Sequence, residues 1–247
     1  MTTQDASAIV SLAGQHSRAL DELGRLICSG ELGPGSSLTL ETIEERCGIS
    51  RSVARETVRV LESMRLVASR RRIGVLVLPD TEWNLYDPQV IRWRLGSPDR
   101  AEQLASLVEL RAAIEPEAAR LAASRASSEE ISELIALSGQ LWAAGEQNDH
   151  ERFLALDVEF HARILGLSGN AMFSRLSGLI GQVLVSRTEH GLVPERPASE
   201  ALQLHADVAG AIQRRDPDRA YAIMRSILVA ALDEIDVLSV DAPSVEA

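Results

Sequence analysis

The side chains best suited to chemistry are an aspartate and a histidine four residues apart. Asp157 and His161 fall on one face of a predicted helix, one turn from each other. A carboxylate and an imidazole in that arrangement can chelate one metal ion, and His205, on a later predicted helix, can supply a third ligand inside a bundle. The same spacing is also typical of a surface ion pair, so both interpretations stay open.

A basic stretch between residues 46 and 72 is the second group with evident chemistry. It contains eight arginines and two glutamates, a net charge of +6 (8 − 2), whereas the whole chain carries −11. Because all 25 basic residues are arginine, each offers a planar fork that suits phosphates and the guanine edge. We expect this stretch to bind double-stranded DNA. The residues predicted to contact it are Ser50, Arg51, Ser52, Arg55, Arg70, Arg71, Arg72 and Gly74.

The elements that would position these arginines have the spacing of a helix-turn-helix. An apolar stripe predicts a helix over 17–28, and a second short helix is predicted from near Thr39 to Cys47. Gly48 ends that helix, and Ser50 can N-cap the third, which would read DNA. The third helix is predicted to bury Val53, Ala54, Thr57, Val58, Leu61 and Met64.

Composition and periodicity favour a mainly α chain of two domains. Aromatic residues make up only 3%, and alanine, leucine and glutamate are abundant, which suits helices. A β-branched run around Gly74 predicts a two-stranded wing, and helical periodicity resumes near Ala101 with about six helices to follow. The predicted segments are a winged helix-turn-helix domain over 1–79, a linker over 80–100, an all-α bundle over 101–238 and a tail over 239–247.

Targeting signals and cysteine usage exclude several classes of protein. The N-terminus has Asp5 and no arginine before residue 18, unlike a signal peptide, and the longest uncharged apolar run, 176–185, is too short to span a bilayer. We therefore expect a cytoplasmic protein with no membrane partner. Cys28 and Cys47 fall on apolar helix positions, which predicts buried thiols and no disulfide framework or zinc ribbon.

Residues 18–79 resemble the DNA-binding domain of the GntR family of bacterial regulators. The matching motifs are Ile27-x-x-Gly30-x-Leu32-x-Pro34-Gly35-x-x-Leu38, Gly48-Ile49-Ser50-Arg51-x-x-x-Arg55-Glu56, Leu61 and Gly74-x-x-Val77. The resemblance implies a homodimer that binds a two-fold symmetric operator. One departure is Glu41, where many relatives carry a basic residue that contacts phosphate. It implies either weaker operator binding there or a contact made by another residue.

Most of the segment 101–230 resembles the FCD effector domain of the FadR subfamily. The matching motifs are Leu107-Val-Glu-Leu-Arg111-x-x-Ile-Glu115-Pro-Glu-Ala-Ala-Arg120, Asp157-x-x-x-His161, Gly169-Asn170 and the helix around His205. The resemblance implies a divalent metal on Asp157, His161 and His205, zinc first, with nickel or manganese as alternatives. Many such domains have a fourth histidine one turn after a methionine, where this chain has Ile227. Either three side chains hold the metal and leave a position open for a carboxylate, or the metal is lost.

The same resemblance implies a small effector that carries a carboxylate. Arg111 is its predicted anchor because a guanidinium can pair bidentately with an anion, although an ion pair with Glu115 is a competing interpretation. Asn170 and Arg187 are predicted to bind effector hydroxyls, with helix capping as the alternative for Asn170. The predicted effector-binding residues are Arg111, Asp157, His161, Asn170, Arg187 and His205. The stretch 83–93 is similar to a branch that responds to sugar acids, which implies galactonate or a related aldonate.

These features predict a ligand-responsive regulator of a catabolic operon, acting as a repressor that a small carboxylic acid releases from its operator. Two alternatives remain. A metal-dependent enzyme could use the same cluster on a small acid, but no general base is evident beside it and an enzyme has no use for a basic wing. A regulator that senses acyl chains would need an apolar tunnel and no metal site.

Overall fold

A computed structural model divides the chain into two compact units, residues 1–100 and 101–247. It describes the backbone of residues 3–189 and 199–240, and their side chains except at 3–13, 187, 189 and 232–240. The predicted tail beyond residue 240 and most of the predicted break at 191–199 lie outside the described residues. Within the described part, no helix has both the length and the apolar character that crossing a bilayer requires.

The first unit combines four helices with a small sheet in its described part. Its elements are α1 (Thr3–Cys28), β1 (Ser37–Leu38), α2 (Leu40–Cys47), α3 (Arg51–Ser63), β2 (Val67–Arg70), β3 (Gly74–Val77), a 3-10 turn (Asp80–Glu82) and α4 (Pro88–Leu95). Their apolar faces share one core that includes Leu23, Ile27 and Leu61. Cys28 and Cys47 are buried in that core as free thiols, as predicted, and burial raises the pKa of Cys28 to about 12, with Arg94 opposing the rise.

Local capping signals build the turn between α2 and α3. The Thr39 hydroxyl caps α2 by accepting a hydrogen bond from the Thr42 backbone N–H at 3.1 Å. Gly48 ends the helix in the left-handed conformation, at φ 63°, which glycine adopts without strain. Ser50 then caps α3 by accepting from the Val53 backbone N–H. All six side chains predicted to be buried along the third helix are buried, which confirms the helix-turn-helix.

The wing is larger than predicted. Strands β2 and β3 pair in antiparallel register from Val67 opposite Val77 to Arg70 opposite Gly74. The two-residue strand β1 pairs with the other edge of β3 and makes a three-stranded sheet of order β1-β3-β2. Two residues are too short a run to predict as a strand from sequence. Gly74 is required at this point because its φ is +102° and a Cβ there would lie 2.5 Å from the Leu38 carbonyl oxygen.

The segment predicted as a linker, 80–100, contains a helix, α4, which was not predicted. Its first residue is Pro88, and Asp87 caps it by accepting from the Gln89 backbone N–H at 2.8 Å. Trp93 donates from its indole N–H to Asp21 on α1 at 2.8 Å. Gly24 leaves room for the ring, since a Cβ there would lie 2.5 Å from it. The apolar periodicity of α4 is weak, so packing against α1 contributes much of the stability of this short helix.

The second unit is an all-α bundle. Its described helices are α5 (Arg100–Arg125), α6 (Ser128–Glu146), α7 (His150–Leu167), α8 (Ala171–Ser174), α9 (Ser177–Glu189), α10 (Ser199–Gln213) and α11 (Pro217–Val240). Helix α10 packs against α6 and α11, and α7 packs against α6 and α9. Fully buried Phe160, Leu134 and Leu141 belong to the core. The predicted mainly α class is confirmed, and the short α8 accounts for the difference from the six helices expected.

Candidate functional site

The exposed N-terminus of α3 carries the predicted DNA-reading residues. The Ser50 hydroxyl caps the helix and lies 3.0 Å from the Ser52 hydroxyl. Arg51, with 55% of its side chain exposed, pairs with Glu41 on α2 at 3.1 Å and lies 3.9 Å from Glu44. Glu41, which departs from the family pattern, thus contacts the arginine that is expected to read DNA.

Other arginines of the basic stretch differ in whether a neighbour already neutralises them. Arg59 pairs with Glu56 at 3.4 Å, and Arg65 pairs with Glu82 at 3.0 Å. Among the described residues, four predicted contact residues are exposed and have no side-chain hydrogen bond or ion pair: Arg55, Arg70, Arg71 and Arg72. Wing and helix are tied together by the Glu62 carboxylate, which accepts from the Ser69 backbone N–H at 2.7 Å. The four unpaired arginines therefore form a positively charged surface on an otherwise acidic chain.

The three predicted metal ligands come together in the second unit. Asp157 and His161 lie on α7, and His205 lies on α10. The Asp157 Oδ1 atom is 3.5 Å from His161 Nε2 and 3.0 Å from His205 Nε2, and all three ligand atoms lie within 4.8 Å of one another. Both imidazoles are buried, and 13% of the Asp157 side chain is exposed. The surface ion pair that spacing also allowed is therefore wrong.

Hydrogen bonds on the far side of each imidazole determine which ring nitrogen faces the cluster. His205 Nδ1 lies 2.7 Å from the Ala201 carbonyl oxygen, which can only accept, so Nδ1 carries the proton. His161 Nδ1 likewise faces the Glu115 carboxylate. In the neutral rings, both Nε2 atoms then point lone pairs at the Asp157 oxygen, and Asp157 Oδ1 and His205 Nε2 are buried without a hydrogen-bond partner. In this neutral form three lone pairs converge with no donor between them, and a set of two imidazoles and one carboxylate fits a divalent metal.

Arg111 is connected to this cluster through a buried carboxylate. Its Nε donates to Glu115 Oε1 at 2.6 Å, both side chains are 1% exposed, and Glu115 Oε2 accepts from His161 Nδ1. Burial alone would raise the pKa of Glu115, but the charges of Arg111 and His161 lower it to about 2. Arg111 Nη1 is buried and has no hydrogen-bond partner among the described residues. The ion pair that competed with effector binding therefore exists, yet it leaves one donor group of Arg111 unused.

The ionisation of the cluster follows from its neighbours. Burial opposes a charge on Asp157, but the neighbouring imidazoles of His161 and His205 outweigh it and lower the Asp157 pKa well below its usual range. Burial likewise opposes a charge on His161, but the Glu115 carboxylate outweighs it, and the His161 pKa rises to about 9. Without a metal, a proton on His161 supplies the positive charge that the carboxylates demand.

Asn170, Arg187 and Ile227 complete the set of residues that the sequence singled out in this unit. Asn170 caps α8, its Oδ1 accepting from the Met172 backbone N–H at 3.0 Å, as the capping alternative predicted. The Arg187 side chain lies outside the described residues. Ile227 lies on α11 and is half-buried, one turn after the fully buried Met224. The contact that sequence reasoning missed is Glu115 with His161, since a separation of 46 residues leaves no local signal.

Comparison with known protein families agrees with this architecture. The gntR family of bacterial regulatory proteins matches residues 15–77. The FCD domain matches residues 106–230, about half of the chain. Both resemblances inferred from the motifs are therefore confirmed.

Individual relatives match over most of the chain. The chain is 30% identical over 207 residues to the galactonate operon transcriptional repressor of Escherichia coli K12, and the match covers 82% of this chain and 89% of the repressor. It is 28% identical over 213 residues to the transcriptional regulator YieP of the same organism, covering 84% and 90%. A Streptococcus agalactiae GntR structure has the same fold, with a TM-score of 0.51, 24% identity and coverage of 88% and 99%. These relatives are regulators, which removes the enzyme alternative. The chain therefore belongs to the GntR family of bacterial transcription regulators, in the group that carries an FCD effector domain.

Proposed function

We propose that the protein is a cytoplasmic homodimeric repressor of a catabolic operon, which a small carboxylic acid releases from its operator. The galactonate operon repressor is its 30% identical relative, which supports a sugar acid such as galactonate or a related aldonate. Because the effector must bind one DNA-binding geometry better than another, its binding weakens operator affinity.

The observation that carries this proposal is the pairing of an open metal cluster with an unused arginine donor. Zinc is the first choice of metal, because two imidazoles and one carboxylate are ligands it accepts in sites with an open position. Asp157, His161 and His205 would hold it, and the metal would supply a Lewis acid for a carboxylate or hydroxyl oxygen. The unpartnered Nη1 of Arg111 would donate to the carboxylate of the effector.

The acyl-chain alternative has no comparable support. An acyl chain is bound in an apolar cavity, whereas this bundle buries Arg111, Glu115, His161 and His205 together. A polar or anionic effector is the better chemical match to such a set.

On the DNA side, the proposed contacts are the reading helix and the wing. Arg51 and Arg55 would reach base edges, and the hydroxyls of Ser50 and Ser52 would hold phosphates. The wing residues Arg70, Arg71 and Arg72 would add backbone contacts next to the turn at Gly74. Four of these five arginines have no competing carboxylate among the described residues.

The effector is tested with an operator selected from random duplexes by the full-length protein. Fluorescence anisotropy then measures the operator affinity with galactonate, other aldonates and galactose. We expect aldonates to weaken binding and galactose, a neutral sugar without a carboxylate, to leave it unchanged. If no aldonate changes the operator affinity, the sugar-acid proposal is wrong.

The metal is tested by elemental analysis of the purified protein and of two variants. Asp157→Ala should lose the metal, whereas Glu159→Ala, an exposed carboxylate two residues later on the same helix, should retain it. A metal content of zero in the wild type, or one that Asp157→Ala leaves unchanged, would contradict the proposed site.

A further inference from the structure

Glu115 contacts two residues that have different proposed roles, Arg111 and His161. It lies on α5 one turn after Arg111, and both side chains are 1% exposed. One carboxylate oxygen accepts from Arg111 Nε at 2.6 Å, and the other accepts from His161 Nδ1 on α7. Each oxygen is therefore committed to one partner, and a single carboxylate joins the arginine to the metal cluster.

The contact with His161 decides which ring nitrogen can bind a metal. A carboxylate accepts and cannot donate, so it keeps the proton of a neutral imidazole on Nδ1 and leaves a lone pair on Nε2. That Nε2 atom lies 3.5 Å from Asp157 Oδ1, inside the cluster. Because Glu115 contacts the opposite edge of the ring, it orients His161 and does not replace the missing fourth ligand.

The contact with Arg111 decides which part of the guanidinium is free. A buried arginine needs a counter-ion, since an unpaired charge in a protein interior is strongly unfavourable. Glu115 supplies that charge at Nε and leaves Nη1 buried and unpartnered. Arg111 is thus held in one orientation while one donor group remains available to an anion.

We propose that Glu115 is the positioning residue shared by the two halves of the effector site. It fixes the tautomer of His161 for the metal and the orientation of Arg111 for the effector carboxylate, although it contacts neither the metal nor the effector. This inference rests on the proposed metal site at Asp157, His161 and His205. It predicts that removing the Glu115 charge weakens metal binding with all three ligands still in place.

The first measurement is Zn²⁺ affinity, by competition with a chelating dye, for the full-length wild type and Glu115→Gln. Glutamine has the same size but no charge, and we expect affinity to fall about 10- to 100-fold, as for other outer-sphere partners of metal ligands. The matched control is Glu117→Gln on the same helix, because Glu117 forms an exposed pair with Arg120 at 2.6 Å. Its Zn²⁺ affinity should equal that of the wild type.

The second measurement detects the tautomer directly, which a merely structural role would not move. In ¹⁵N NMR spectra of the Zn²⁺-loaded wild type, we expect a protected Nδ1–H signal from His161, and we expect Glu115→Gln to shift or lose it. His205 provides an internal control, since its Nδ1 faces the Ala201 carbonyl oxygen and not Glu115. Its signal should stay in place.

The outcomes separate this inference from the function on which it rests. If Glu115→Gln binds Zn²⁺ as tightly as the wild type while Asp157→Ala loses it, the role of Glu115 is wrong and the metal site stands. If the wild type binds no Zn²⁺, both proposals fail. Should Glu115→Gln not fold, Glu115→Asp keeps the charge but withdraws it by one methylene, and its Zn²⁺ affinity should still fall about tenfold. Wild-type affinity in that variant would overturn the role.

Discussion

Two arginine–glutamate pairs, one in each unit, lie in opposite surroundings. Arg111 and Glu115 are each 1% exposed and sit 2.6 Å apart within the effector bundle. Arg51 and Glu41 are 55% and 60% exposed and sit 3.1 Å apart at the start of the reading helix. The side-chain chemistry is the same, but water surrounds only the second pair.

Solvent decides what each pair can do. In the buried pair neither charge can be left alone, so Glu115 holds Arg111 in a fixed orientation. In the exposed pair, water screens the attraction and DNA phosphates or base edges can take the place of Glu41. The buried arginine is therefore held in one orientation, as the proposed binding of a single small ligand requires, and the exposed one remains free to exchange partners.

The largest effect is expected from breaking the buried pair. Arg111→Met keeps most of the side-chain volume but leaves the buried Glu115 and Asp157 carboxylates with only the protonated His161 to balance them, and we expect the effector bundle to lose about 3–5 kcal/mol of stability. Urea unfolding of the full chain in EDTA measures this without a metal contribution. The control is Arg120→Met on the same helix, in an exposed pair with Glu117, which should change stability little. If Arg111→Met is as stable as the wild type, burial does not make the Arg111–Glu115 pair more important for stability than an exposed pair.

The next effect concerns operator binding by the exposed arginine. Arg51→Ala should weaken binding to the selected operator by about 1–3 kcal/mol and relax base preference at one position, without changing the circular dichroism spectrum. Arg65→Ala is the control, because Arg65 lies past the C-terminal end of α3, away from the reading end, and donates to both the backbone carbonyl (2.8 Å) and the carboxylate (3.0 Å) of Glu82. Equal losses for both variants would mean that the basic stretch acts only through its total charge.

A smaller effect is expected when the exposed partner is removed. Glu41→Gln takes away a carboxylate that competes with DNA for Arg51, so operator affinity should rise about two- to fivefold at low salt and match the wild type at high salt. Anisotropy titrations at two salt concentrations test this. Weaker binding would show that Glu41 holds Arg51 in its DNA-binding orientation, as Glu115 does for Arg111.

The smallest effect is the coupling between Arg51 and Glu41 in the free protein. A double-mutant cycle with Arg51→Ala and Glu41→Ala, read by urea unfolding, should give an interaction free energy within experimental error, because exposed ion pairs contribute little. A measurable coupling would mean that this pair is shielded from water more than its exposure indicates.

Elements with local signals could be predicted from the sequence. Thr39, Gly48 and Ser50 mark where α2 and α3 start and stop, and apolar periodicity identified the buried side chains of α3. The spacing of Asp157 and His161 identified two of the three members of the cluster for the same reason, since a helix brings residues four apart onto one face. These features depend only on neighbours in the chain.

Elements that depend on distant partners could not be predicted in this way. Helix α4 has weak periodicity and is held by Trp93 against Asp21 and Gly24, and β1 exists only through its pairing with β3. The competing carboxylate of Arg51 comes from another helix. No local pattern encodes such contacts.

The sequence by itself determined the two domain types, the basic helix α3 and the set of candidate metal ligands, because motif, charge and helical period can be recognised from the order of residues along the chain. The tertiary structure decided how those residues are used. It joined Glu115 to His161 across 46 positions and left Arg111 Nη1 without a partner. Burial and hydrogen bonding are set by what the folded chain brings together, so the availability of each charged group emerges only from the fold.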